Sequence, residues 1–276
     1  MAIIIDNIAP LNLRDTLLCG QAFRWVENSD GSFTGVVQGR IATVSLKEGD
    51  KLVVAEKSGK HKPLEKSYWE NYFAADIDYA ALQEAYSKNK TLAKCVSHAP
   101  GIRVLRQDFF ETLITFIISQ NNNISRIQGI VERLAENFGD KVGSDDFGVM
   151  RYSFPSAERL ASLSLQDLSI LRAGYRDKAI LDAARRVADG ILVESELSKL
   201  STPEARGKLL KVHGVGPKVA DCVLLFGLGR FEVFPVDVWI RRAIAMLFPK
   251  GLPKNANSTA GIAQQYIFHF ARNSIK

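Results

Sequence analysis

Leu209–Asp237 reads LLKVHGVGPKVADCVLLFGLGRFEVFPVD. A short helix runs into the turn His213-Gly214-Val215-Gly216, and a second helix opens at Pro217-Lys218 and carries Cys222 one turn later. Proline suits the first helical position, because its missing N–H would have had no partner there. The glycines admit positive φ and let another backbone approach closely. The start of the second helix presents unpaired N–H groups that suit a phosphate. On its own, such a Gly-x-Gly is a tight turn; the neighbouring residues add chemistry. Lys218 falls in the first helical turn, where the dipole is positive and a cation is disfavoured. That placement is expected to lower its pKa, as a nucleophilic amine requires. A phosphate-binding surface lysine is the plainer alternative. Cys222 at i+4 shares its face and is otherwise a buried structural cysteine. Asp237 follows Pro235-Val236 and precedes the helical pattern Val238–Leu247. It suits an N-cap, and equally a carboxylate set near developing positive charge at a sugar C1′. Together the segment suggests an enzyme that holds DNA and attacks a sugar carbon.

Outside this segment, 276 residues with 46% hydrophobic content suffice for one large domain or two ordinary ones. The formal charge of +6 leans towards polyanions. The three cysteines, Cys19, Cys95 and Cys222, are far apart and odd in number. They argue against a disulfide framework and against a four-cysteine metal or cluster site, and they fit a reducing compartment. The start, MAIIIDNIAP, has an early acidic residue and no basic leader. No signal peptide or membrane span is expected.

Residues 1 to about 65 read as β-rich. Phe23–Val26, Phe33–Gln38, Ile41–Leu46 and Leu52–Glu56 are short and rich in Val, Ile, Phe and Thr, with turns at Ser29-Asp30-Gly31 and Glu48-Gly49-Asp50. An antiparallel meander is expected, with Lys57–Lys66 as a surface connection. From about Tyr68 the period becomes helical. Asp108-x-x-Glu111 resembles a capping box before an apolar helix through Ile118. Apolar residues at Ile124, Ile127, Ile130, Val131, Leu134 and Phe138 form one helical face, stopped by Gly139. Lys178–Ala188 is another helix, stopped by Gly190. Thr202-Pro203 reads as an N-cap and a first-turn proline for a helix to about Lys211. The fold class expected is α+β: an N-terminal antiparallel β domain with flanking helices over 1–98, then a mostly helical domain over 99–276.

Gly214-Val215-Gly216-Pro217-Lys218-Val219-Ala220-Asp221-Cys222, followed by Pro235-Val236-Asp237-Val238, resembles the helix-hairpin-helix/GPD superfamily of DNA glycosylases. Within it, the chain is similar to the 8-oxoguanine DNA glycosylase/AP lyase family, in its bacterial form. Gly20-Gln21-Ala22-Phe23-Arg24-Trp25, Arg106-Gln107-Asp108, Ser119-Gln120-Asn121-Asn122-Asn123-Ile124, Gly174-Tyr175-Arg176 and Gln264-x-x-x-Phe268 recur in that family's order. The likeness spans nearly the whole chain.

The resemblance implies roles. Lys218 attacks C1′ of a flipped nucleotide, displaces the oxidised base and forms a Schiff base that permits β-elimination. Asp237 supports the oxocarbenium-like state and caps its helix, while Asp221 makes surface or helix contacts. Phe268 stacks on one face of the base and Cys222 on the other. Gln264 reads its Watson–Crick edge, and the Gly20 carbonyl accepts from N7–H, a hydrogen that normal guanine lacks. Asn121 enters the gap left in the duplex, Arg126 and Arg176 read the orphaned cytosine, and Tyr175 wedges the neighbouring step. Gly214, Gly216 and Arg241 meet the DNA backbone. A monovalent cation sits at the hairpin carbonyls, and neither a cofactor nor a tight catalytic metal is implied. The partner implied is double-stranded DNA with oxidised guanine, met by a monomer inside the cell, in the cytoplasm or nucleoid of a prokaryote.

The chain departs from the family's eukaryotic members at Trp239, where they carry a phosphate-binding histidine, at Ala271, where they often carry an acid, and at Phe109 in place of proline. Glycosylases of the superfamily for oxidised pyrimidines or mismatched adenine usually carry four cysteines after the hairpin, absent here; alkylation enzymes usually lack the lysine. A non-catalytic hairpin module would need neither Lys218 with Asp237 nor a base pocket.

Overall fold

A computed structural model describes residues 2–48, 50–57, 61–249 and 251–274. A five-stranded antiparallel sheet comes first, in the order β1-β5-β4-β3-β2, from β1 (Ala2–Ile5), β2 (Val26–Glu27), β3 (Phe33–Val37), β4 (Arg40–Lys47) and β5 (Lys51–Lys57). Strands β2 to β5 form the expected meander. Val37 pairs with Arg40 across Gln38 (φ 49°) and Gly39 (φ 70°), a two-residue turn whose twist matches the strands it joins. The run Ala2–Ile5 adds a strand that the sequence reading passed over: Ala2 pairs with Ala55 and Ile5 with Leu52. Its β-branched residues suit a pleated, half-buried surface. Gly49 of the expected turn, and residues 58–60 of the connection over Lys57–Lys66, lie outside the described residues.

Phe23–Val26 is not the strand expected. Only Val26–Glu27 pairs with β3. The preceding residues join two cores instead: Trp25 lies flat on Gly35, where an added Cβ would sit 2.7 Å from its ring, and donates Nε1–H to Tyr72 at 2.9 Å. Phe23 points the other way, edge-on to Phe116 at 5.6 Å. One core underlies the sheet, with α1 (Leu13–Leu17) and α2 (Lys66–Tyr72) closing it through Leu17, Trp69 and Phe73.

The second core is helical. It gathers α3 (Tyr79–Ser87), α4 (Lys90–His98), α5 (Phe109–Ser119), α6 (Ile124–Phe138), α7 (Ala157–Ala161), α8 (Leu165–Leu168), α9 (Asp177–Ala188), α10 (Glu194–Leu197), α11 (Thr202–Leu209), α12 (Pro217–Cys222), α13 (Val238–Leu247) and α14 (Ala260–Ser274), and the small hairpin β6 (Lys141–Ser144) and β7 (Met150–Tyr152) lies between α6 and α7 in the chain. Helices α3 and α4 pack here, against α14: Tyr86 stacks edge-on to Tyr266 at 6.3 Å and bonds Thr259.

Two capping expectations shift. Asp108 caps α5 through the Glu111 N–H at 2.8 Å, but the Glu111 side chain does not close a box. Burial instead holds that carboxyl up at about 7. Helix α11 is capped by Ser201, one residue early, in a reciprocal box with Glu204, because that pair sits at the N-cap and third helical positions and Thr202-Glu204 does not.

Arg103 locks the two cores together. It is 1% exposed and donates to the carbonyls of Ile8, Phe73, Ala74 and Ile77 while stacking on Tyr79 at 4.1 Å. No helix among the described residues is long and apolar enough to cross a membrane.

Candidate active site

The hairpin forms as its glycines require. Gly214 has φ +73°, and an added Cβ would stand 3.1 Å from that of Ala179. The Val212 N–H donates to Leu209 and the Val215 N–H to Val212, each at 3.1 Å, and the His213 N–H donates to Asp182 at 2.7 Å. Gly216 is extended and leads into Pro217 at the start of α12, which continues as a wider helical turn over Val223–Gly227. Asp221 is half-buried and accepts from Arg206 on α11 at 2.6 Å.

This places Lys218 in the wall of a cleft of about 610 Å³. Its Nζ donates to Ser119 Oγ at 3.1 Å and lies 4.9 Å from the centre of the Phe116 ring. Asp237 lines the same cleft and caps α13, accepting from the Ile240 N–H at 2.8 Å. Among the described residues no ion pair joins Asp237 to Lys218. Trp239 and Arg241, from the first turn of α13, complete that side.

Both ends of the chain also reach the cleft. Phe268 on α14 and Gly20 line the cleft. Gly20 has φ +105°, and an added Cβ would lie 2.9 Å from Ile124 Cδ1. Its loop is pinned by the next side chain: Gln21 Nε2 donates to the carbonyls of Thr16 and Arg103, each at 2.8 Å, and Gln21 Oε1 accepts from Leu105 at 2.9 Å. Arg272 donates to the Cys19 carbonyl at 3.5 Å and Cys19 Sγ reaches Gln265 at 3.8 Å, which ties the loop to α14.

Two expected pocket residues lie just behind the cleft surface. Cys222 is buried, and burial pushes its thiol up to about 11 against the pull of nearby Lys218. Gln264 is buried with its amide engaged: Nε2 donates to the Pro235 carbonyl at 3.2 Å, and Oε1 accepts from Gln265 at 2.6 Å.

At the rim, Asn121 adopts φ +47° and reaches Tyr175 Oη at 3.4 Å, and Tyr175 is 62% exposed. Arg176 is buried beneath them. It donates to the carbonyls of Gln120, Ala173 and Asn121 and packs on the Tyr175 ring. Arg126 is exposed near the start of α6 and does not line the cleft. Ser119, Phe116, Phe23 and Arg272 carried no role in the sequence reading. Only the pairing of Phe116 with Ser119 at i, i+3, one face of α5, could have marked two of them.

Residues 3–113 match the N-terminal domain of 8-oxoguanine DNA glycosylase, and residues 114–260 match the HhH-GPD superfamily of base excision DNA repair proteins. The chain belongs to the 8-oxoguanine DNA glycosylase family of that superfamily. The fold of this family member superposes with a TM-score of 0.90 on MBOgg1, solved with a low-affinity DNA ligand; identity is 39%, covering 100% of this chain and 96% of that one. The Clostridium acetobutylicum 8-oxoguanine glycosylase/lyase, solved with double-stranded DNA holding cytosine opposite 8-oxoguanine, gives a TM-score of 0.88 at 33% identity over 99% and 95% of the two chains. A Saccharomyces cerevisiae N-glycosylase/DNA lyase is 34% identical over 86% of this chain and 68% of its own length, so the chain spans about two thirds of that relative.

Proposed function

We propose that this glycosylase excises 8-oxoguanine opposite cytosine from duplex DNA and then nicks the strand. The observation that carries the reading is that Lys218 lines one cleft together with Asp237, Gly20 and Phe268. A base cannot reach such a cleft while stacked, so the nucleotide must flip out. The Lys218 amine attacks C1′, forming a C–N bond as the glycosidic bond breaks and the base leaves with its electrons. Ring opening yields the Schiff base, which acidifies the adjacent C2′–H and permits β-elimination of the 3′ phosphate. Asp237 stabilises the positive charge that develops at C1′ with the carboxylate oxygen not spent on Ile240.

Phe268 stacks on the flipped base, with Cys222 beneath the other face. The Gly20 carbonyl selects the N7–H. Gln264 exchanges its Pro235 bond for the Watson–Crick edge. Asn121 and Tyr175 fill and wedge the duplex, Arg126 reads the orphaned cytosine, and Arg176 acts there through the loop it holds. Gly214 and Gly216 bring the hairpin backbone to the phosphates, and Arg241 adds a cation. The carbonyls of His213 and Val215 accept no hydrogen bond among the described residues, so they fit a monovalent cation bridging hairpin and phosphate. That ion would neutralise phosphate charge and takes no part in the bond-breaking steps. The enzyme acts as a monomer.

The test uses duplexes with 8-oxoguanine opposite each base, with and without borohydride. The expected result is base release fastest opposite cytosine, a covalent adduct with borohydride, and no adduct for Lys218→Gln despite retained binding. Trapping of that variant at the normal rate would place the nucleophile elsewhere.

A further inference from the structure

Lys218 is in an unusual position between two helices. Its backbone belongs to the first turn of α12, the positive end, while its Nζ reaches the last turn of α5, the negative end. There Nζ donates to Ser119 Oγ at 3.1 Å. The Ser119 hydroxyl has one proton, and it is already given to the Phe116 carbonyl at 2.8 Å. Its lone pairs are therefore what it offers to Lys218. The Phe116 ring supplies a second, undirected attraction at 4.9 Å, and that ring is itself fixed by stacking on Phe226 at 5.3 Å and edge contact with Phe23 at 5.6 Å. A long, rotamer-rich side chain is thus held at its tip by a short rigid one.

We propose that Ser119 is a positioning residue for Lys218: its hydroxyl, oriented by the Phe116 carbonyl, fixes Nζ on the cleft wall from which C1′ is attacked. The proposal rests on Lys218 being the nucleophile. In this role Ser119 acts through Lys218 and takes no proton. It reduces the number of places Nζ occupies before attack, which is how orientation accelerates a bimolecular step. Phe116 and Ser119 act as a pair, and because α5 also ends in the Gln120-Asn121 turn, the wall that aims the amine and the turn at the duplex gap are one piece of backbone.

Two measurements on the full chain test this, with Ser119→Ala and Ser119→Thr compared with the unchanged protein. The first is the single-turnover rate of borohydride trapping on an 8-oxoguanine:cytosine duplex, beside the Kd for that duplex. The second needs no DNA: the rate of Lys218 reductive methylation by formaldehyde and cyanoborohydride, read by mass spectrometry. Ser119→Ala is expected to trap about tenfold more slowly, the effect of one lost hydrogen bond, with Kd within about twofold. Its Lys218 is expected to methylate several-fold faster, because the nitrogen is released from the wall. Ser119→Thr keeps the hydroxyl and is expected to restore both. Unchanged methylation in Ser119→Ala, or a threonine variant as slow in trapping as alanine, overturns the proposal. If methylation responds as expected and the unchanged protein traps nothing on any duplex, the Ser119 contact stands and the excision reading falls.

Discussion

Arg176 donates to the Gln120 carbonyl from two of its nitrogens. That contact joins the turn before α9 to the turn after α5, and it sits directly under the left-handed Asn121. A residue at the rim of the cleft is thereby part of the cleft's frame. Arg176→Ala removes donors from the half-buried carbonyl of Gln120 and the buried carbonyl of Ala173, and is expected to cost about 2–4 kcal/mol of stability. Binding to a lesion duplex should weaken as well. Arg176→Lys, a single point of donation in place of a fork, should fall between. Urea melts and duplex titrations of both variants measure these effects; a variant as stable as the parent would contradict the framing role.

Arg126 offers the contrast. It is exposed, its backbone N–H donates to the Asn123 cap, and its side chain has no hydrogen bond or ion pair among the described residues. Arg126→Ala should leave stability within about 0.5 kcal/mol. The ratio of excision opposite cytosine to excision opposite adenine should fall about tenfold, the effect of one good base contact. An unchanged ratio would remove Arg126 from the reading of the opposite base.

Gly20→Ala tests the base-selecting role proposed for its loop. The φ of +105° strains any other residue by about 1–3 kcal/mol. The Ile124 methyl at 2.9 Å must also give way, which a side-chain tip can do. Thermal stability should drop by that amount. The rate on 8-oxoguanine should drop at least about tenfold, since the carbonyl it presents moves with the backbone. Full activity with the strain present would show that the Gly20 carbonyl does not contact the base.

Arg103→Met probes the joint between the two cores. The carbonyls of Ile8, Phe73 and Ile77 lose the guanidinium donor at once, while that of Ala74 keeps only the Ile77 N–H. Loss of roughly 3–5 kcal/mol is expected, with loosening of both cores together. Chemical denaturation should remain a single transition if Arg103 is one of several links, and split into two if it is the main one.

Stability should also carry a glutamate signature. Desolvation holds the Glu111 carboxyl up at about 7 from an ordinary 4.5; Asp108 and Glu132 add repulsion, and Arg24 opposes. Between those two values the folded chain keeps a proton that the unfolded chain has lost. Stability should therefore fall as pH rises from 4.5 through 7, by roughly 3 kcal/mol at most. Glu111→Gln cannot ionise and should lose this slope, becoming more stable than the parent at pH 8 and about equal near pH 4.5. Parallel Tm curves for the two proteins would rule the effect out.

Local patterns carried much of the fold and part of the cleft. The meander over Phe33–Glu56 follows from alternation and turn residues. The hairpin follows from Gly214, Gly216 and Pro217, and the Asp237 cap from its place before an apolar run. Each depends on contacts a few residues apart, so the chain determines them by itself. Phe23–Val26 misled because its β-rich composition is the same whether residues pair in a sheet or bridge two cores. What only the tertiary structure decided is which distant groups share a space. Gly20 meets Ile124, Cys19 accepts from Arg272, Gln264 turns its amide to Pro235, Arg176 goes under Asn121, and Lys218 finds Ser119 across two helix ends. These pairings depend on packing between elements 29 to 253 residues apart in the chain. No periodicity or cap records them, because their cause is the shape of the assembled core.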